Sequence, residues 1–266
     1  MPASQSPKPI LGYSPGPLSV GGAVTVEVII PPVPLQPLMD AQYLDSKIMS
    51  QRPGMYIKYF PYLYSPVNGK LLGGGCYTFD TYEHAAEYAR WTETYEVESE
   101  GQTIKFWDRP LFESHRKWVW RVVGAHSFRE MEAQVCTRLI QWKYENDGVG
   151  QKLVELYPVL KETIKDLDVA VVWLLHNSEE KMVGLHVVFR NETGTVDGDL
   201  AQEALEEAIK APLETLMPRD LSLKKFFDRS SFLLTMWLPI SREAGGTELH
   251  IPLRSVAVPD ISLDYI

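Results

Sequence analysis

Met55-Tyr-Ile-Lys-Tyr-Phe-Pro-Tyr-Leu-Tyr64, then Ser65-Pro-Val-Asn-Gly69, then Leu71-Leu-Gly-Gly-Gly-Cys-Tyr-Thr-Phe79 reads as a β-hairpin. The first arm is rich in aromatic residues, and Asn68-Gly69 favours the positive-φ turn that joins antiparallel strands. Upstream, Val24-Thr-Val-Glu-Val-Ile-Ile30 has the β-branched content of a strand and ends at Pro31 and Pro32. From Leu38 to Met49, apolar residues recur at helical spacing. Downstream, Tyr82 to Glu96 reads as a helix with Asp80 or Thr81 as its N-cap, and Gln102 to Phe106 as a short strand. The order is strand, helix, hairpin, helix, strand.

The same order is expected again. Trp118 to Phe128 reads as a strand and Arg129 to Leu167 as a helical stretch, interrupted near Gly148, Gly150 and Pro158. Val169 to His176 and Met182 to Arg190 form a second hairpin, Leu200 to Ile209 a helix, Leu223 to Phe227 a further helical turn, and Ser231 to Ile240 a strand. Glu248 to Val258 reads as a closing strand. The repeat is one of order and pattern, not of residue identity. The expected organisation is a flexible Pro/Gly-rich arm at 1–23, a first repeat at 24–112, and a second at 113–266 with an extra C-terminal strand. Each repeat alone would leave a sheet half covered, so the two are expected to pack sheet to sheet over a shared core.

β-α-β-β-α-β is the ferredoxin-like arrangement. Two such units in one chain resemble a tandem member of the dimeric α+β barrel superfamily, which implies an α+β fold with both barrel halves in one chain. Met55–Tyr64 and Leu71–His84, the latter with its Phe79-Asp-Thr81, resemble the monooxygenase-type, secondary-metabolism members. That likeness implies a cofactor-free oxygenase, isomerase or cyclase of small molecules. Fold cannot choose among these chemistries. The superfamily also includes haem enzymes with a proximal histidine on a helix of the C-terminal half. Arg129 to Leu167 and Leu200 to Ile209 contain no histidine, so no cofactor is expected.

Composition narrows the partners. The 266 residues carry a net charge of −9, which disfavours nucleic acid and anionic membrane surfaces. No apolar run approaches the length of a membrane span, and residues 1–22 lack a signal-peptide core. The two cysteines, Cys76 and Cys136, have no metal-type spacing and fit a reducing, cytoplasmic setting. The expected partner is a small apolar organic ligand, and the expected assembly a monomer or homodimer.

Candidate chemistry centres on histidine. His126 and His176 end the first and second strands of the second repeat as drawn above. In a ferredoxin-like sheet those strands are parallel and flank the third, so the two rings should lie about 10 Å apart at one sheet edge. Either can act as general acid or base; hydrogen bonding to loops is the plain alternative. His186 shares a strand face with Gly184 and Arg190, which suits a ligand cavity or a satisfied core histidine. Tyr56, Lys58, Phe60, Tyr62 and Tyr64 alternate onto one face, either lining a pocket or forming a solvent or edge face. Trp120 and Trp173, with Trp118, can floor an aromatic pocket or simply fill the core. The leading function is a cofactor-independent cyclase, isomerase, dehydratase or oxygenase using histidine acid–base chemistry. The alternative is a noncatalytic carrier.

Overall fold

The computed structural model describes residues 15–32, 40–41, 44–45, 47–64, 70–99, 101–129, 136–189, 205–238 and 249–252; for 63–64, 232–238 and 249–252 it describes the backbone alone. The strands are β1 (Gly16–Pro17), β2 (Gly22–Ile30), β3 (Met55–Tyr64), β4 (Leu71–Phe79), β5 (Glu96–Ser99), β6 (Gln102–Lys105), β7 (Ser114–Ser127), β8 (Cys136–Lys143), β9 (Val169–Asn177), β10 (Met182–Phe189), β11 (Lys224–Leu238) and β12 (Leu249–Pro252). The two longer helices are α1 (Tyr82–Thr94) and α2 (Val149–Ile164). Helical residues also occur within 40–49 and at 205–210.

Eight strands form a ring in the order β7-β2-β4-β3-β11-β8-β10-β9, and β9 pairs back onto β7. Every neighbouring pair is antiparallel. The order contains one pattern twice. β4 lies between β2 and β3, with residues 114–121 of β7 beside β2. β10 lies between β8 and β9, with residues 224–232 of β11 beside β8. Each is the strand order of a ferredoxin-like unit. The far ends of the two long strands then cross over: β7 continues onto β9, and β11 onto β3. This crossing closes the sheet and removes its free edges.

That closure changes several expectations. The strand containing Trp118 belongs by pairing with β2, and the second round of the pattern opens at Cys136. Arg129 to Leu167 is not one helical stretch, because it holds β8 before α2. Leu223–Phe227 is not a helical turn, because β11 starts at Lys224. Gln102–Lys105 does not join the main sheet; it pairs with β5 in a separate two-stranded ribbon. The arm is tied down where it is described: β1 pairs with β7, and Leu18 donates to the Ala125 carbonyl at 3.1 Å. Residues 1–14, 190–204 and 253–266 lie outside the described residues, and with them Arg190, the first half of the helix expected at 200–209 and most of the closing strand expected at 248–258.

Both faces of the sheet are covered. Inside the ring pack Ile57, Tyr59, Trp120, Val171, Trp173 and Val188, all buried. Outside, α1 lies over β2 and β7, and α2 over β7 and β9. Leu153, Leu160 and Ile164 seat α2 with at most 1% exposure. α1 starts where the Thr81 hydroxyl accepts from the His84 amide at 3.2 Å, as its cap sequence predicts. α2 starts after Gly148, whose φ of +80° suits glycine.

Candidate active site

The structure does not bring His126 and His176 together. β7 is the direct antiparallel neighbour of β9, with His126 opposite Val172 and His176 opposite Arg121. The offset of four residues along β9 separates them by about 13 Å, and the expected parallel flanking of a third strand does not occur. They sit at opposite ends of α2. His176 meets the Tyr144 hydroxyl at 2.8 Å and lies against Gly150, whose added β-carbon would fall 2.9 Å from its ring. Burial, then Arg121, lowers the His176 pKa. His126 contacts Phe128, and burial, then Lys161, lowers its pKa.

His186, Trp120 and Trp173 face the barrel interior. Thr137 donates its hydroxyl proton to the Val187 carbonyl at 2.7 Å, so it accepts from the His186 Nε2–H, also at 2.7 Å. Nδ1 is then left to accept, with the Tyr59 hydroxyl 3.1 Å and the Cys76 Sγ 3.3 Å away; the same hydroxyl lies 3.0 Å from Nε2. Burial holds the His186 pKa down to about 3, with Arg229 contributing, so the ring stays neutral. The space beside Gly184 is taken: an added β-carbon would lie 3.2 Å from Leu175 and 3.6 Å from the Trp120 ring. Trp120 donates its indole N–H to Thr25 at 2.8 Å.

The interior also holds a Glu27–Arg229 ion pair beside a very small cavity. Burial pushes the Glu27 pKa up to about 7, and the Arg229 charge and hydrogen bond oppose the rise. Arg116 lies opposite Glu27 in the β2–β7 ladder. A carboxyl with a raised folded-state pKa keeps its proton in the folded chain after losing it in the unfolded one. Its contribution to stability is therefore present in full below about pH 4.5 and falls away as pH rises towards 7. Carbon-detected NMR of the Glu27 carboxyl is expected to show a midpoint near 7; an ordinary midpoint below 5 would refute this.

Outside the barrel, a small, open cavity lies over the first unit's sheet. Its floor is Val26, Val28, Phe60, Gly74, Gly75 and Tyr77; its walls are Asp45, Met49, Phe106, Trp107, Leu111 and Phe112. The Gly73-Gly-Gly75 run marks close approach rather than a bulge. The β2–β4 ladder is continuous there, and an added β-carbon on Gly75 would sit 2.4 Å from the Tyr77 ring. Lys58 and Tyr62 flank Phe60 on this outer face, and Lys58 is fully buried. A register shift between Met55 and Ile57 sends Tyr56 to the interior cluster, out of the expected alternation. The Tyr64 side chain lies outside the description.

The cavity's polar side is an ion pair. Arg109 holds both Asp45 oxygens, at 2.8 and 3.2 Å. Arg109 is itself fixed by the Phe106 carbonyl at 3.1 Å and by the Phe106 and Phe112 rings, 4.1 and 4.8 Å away. Burial raises the Asp45 pKa, opposed by Arg109 and the nearby Lys58 charge. Trp107 is stacked on His115 at 4.4 Å with 11° between the planes. None of Asp45, Trp107, Arg109 or Tyr77 stands out as a site residue from sequence. The available signal is the run Phe106-Trp-Asp-Arg-Pro-Leu-Phe112, an aromatic segment around one arginine that reads as a linker.

Two ferredoxin-like units closed into one antiparallel barrel, with helices and a cavity outside, define a single-chain α+β barrel. No family model matches the chain, and no curated protein is similar enough in sequence to match. A proposed monooxygenase of Fusobacterium nucleatum is similar in structure at 10% identity and a TM-score of 0.49, over 86% of this chain and 98% of that one. A proposed monooxygenase of Lactobacillus acidophilus is similar at 10% identity and 0.46, over 86% and 99%. An anthrone oxidase-like protein is similar at 10% identity and 0.42, over 80% and 92%. Among the described residues no helix is long and apolar enough to cross a membrane, and no group of three His, Cys, Asp or Glu is placed to hold a metal.

Proposed function

We propose that this protein is an enzyme acting on a small, largely apolar, planar organic molecule held in the outer cavity, with Asp45 as the proton-transferring group. The observation that supports this is a carboxyl of raised pKa in the wall of an aromatic cavity. Arg109 fixes the direction of the carboxylate, and the rings of Phe60, Phe106, Trp107 and Phe112 orient a flat ligand. Isomerisation, dehydration and cyclisation can each begin with proton transfer at carbon beside a carbonyl, and that step needs no bound cofactor. The acid–base role passes from the histidines to Asp45, because no histidine lines this cavity. A noncatalytic carrier is the second reading. It is favoured by the Arg109 pairing, which occupies both carboxylate oxygens.

2-Tetralone, a bicyclic ketone with exchangeable protons beside its carbonyl, separates the two readings. The wild-type protein is expected to bind it and to speed its deuterium exchange by about a hundredfold over buffer, the low end of general acid–base catalysis. Asp45→Asn should retain binding and lose the exchange, while His126→Ala and His176→Ala should keep both. Binding without exchange in the wild type would favour the carrier, and no binding would sink both readings.

A further inference from the structure

We propose that Trp107 sets ligand specificity in the outer cavity: its indole N–H donates to an acceptor oxygen on the bound molecule. The substrate class is then oxygen-bearing planar compounds, such as ketones, lactones and ethers, rather than hydrocarbons. This rests on the outer cavity being the ligand site, as proposed above.

Trp107 lines the cavity, and its Nε1 is buried without a hydrogen-bond partner. A buried donor left unmet is costly, so native structures pair it unless something else supplies the acceptor. The cavity wall offers little. Both Asp45 oxygens are taken by Arg109, and the Met49 sulfur receives the Tyr77 hydroxyl at 3.7 Å. Among the other lining side chains only Tyr77 carries an oxygen; the rest, Trp107 itself apart, are hydrocarbon or glycine. Inside the barrel the Trp120 N–H reaches Thr25 at 2.8 Å, while the Trp173 Nε1 is buried without a partner as that of Trp107 is; of the two unmet indoles, only Trp107 lines the outer cavity. The near-parallel stack on His115 holds the Trp107 plane before any ligand arrives, so the donor direction is preset. A site with a fixed, unmet donor discriminates strongly against a ligand that lacks the acceptor.

Trp107→Phe removes the N–H and keeps an aromatic ring against His115. The probes are 2-tetralone and tetralin, the same bicycle with and without the oxygen, titrated by calorimetry into wild type and variant. The substitution is expected to weaken 2-tetralone about tenfold and to leave tetralin unchanged, the signature of a single lost hydrogen bond in a double cycle. An unchanged melting temperature will show that the variant folds. Equal changes for both probes would overturn the role of Trp107 while leaving the cavity reading in place. Failure of 2-tetralone to bind the wild type at all would overturn both.

Discussion

Arg138→Ala is expected to destabilise the protein by about 3–5 kcal/mol, the range for removing one partner of a buried ion pair. Arg138 is only 5% exposed. Its Nε and Nη2 donate to the two Asp228 oxygens, each at 2.8 Å, joining β8 to β11. Its Nη1 donates to the carbonyls of Ala208, Ile209 and Ala211 at 3.1, 3.0 and 2.8 Å, where the 205–210 helix ends. The last carbonyls of a helix have no partner within it, so one guanidinium here closes a helix end and ties two strands. Alanine would leave a carboxylate and three carbonyls without this donor in a place water reaches poorly. Arg138→Lys should fall between, because an ammonium keeps the charge and loses the planar fork. Urea unfolding tests this. The midpoint should drop with an unchanged slope, and a loss below about 1 kcal/mol would mean that the guanidinium is not a structural tie.

Cutting the chain between β7 and β8 should abolish independent folding of both pieces. Fragment 1–129 keeps β2, β3, β4 and β7 but loses β11 from the edge of β3 and β9 from the end of β7. Fragment 130–266 loses the same contacts from the other side. Each would expose residues that are now sealed in the barrel, among them Ile57, Tyr59 and Trp120 in the first and Trp173 and Val188 in the second. An open sheet with an apolar face and bare edges self-associates. Light scattering should find each fragment aggregated or dimeric, and mixing the two should restore a soluble one-to-one complex with the native circular dichroism. A monomeric fragment that unfolds cooperatively would rule out the shared core.

How much of this was legible depended on where each signal lives. β2, the hairpins at 55–79 and 169–189, and the start of α1 are written locally, in β-branched runs, a turn dipeptide and a threonine cap. β8 is not. Thr137, Leu139 and Gln141 face the barrel while Cys136, Ile140 and Trp142 face the helices, and seven of its eight residues are buried. A strand covered on both sides buries polar and apolar residues on either face, here Thr137 and Gln141 on one and Arg138 on the other, so its sequence carries no period of two and was absorbed into the helical stretch. The misplacement of His126 follows from that one omission, since skipping β8 makes β7 the first strand of a unit it instead completes. The strand-level α+β character was therefore settled by the sequence. Closure was settled only in three dimensions, because it depends on β7 and β11 each pairing with both units. So was the candidate site, whose lining comes from Asp45 and Met49, three strands and the 106–112 segment. No spacing along the chain relates Asp45, Tyr77 and Trp107; packing does, by burying a carboxyl beside aromatic rings and leaving an indole N–H without a partner.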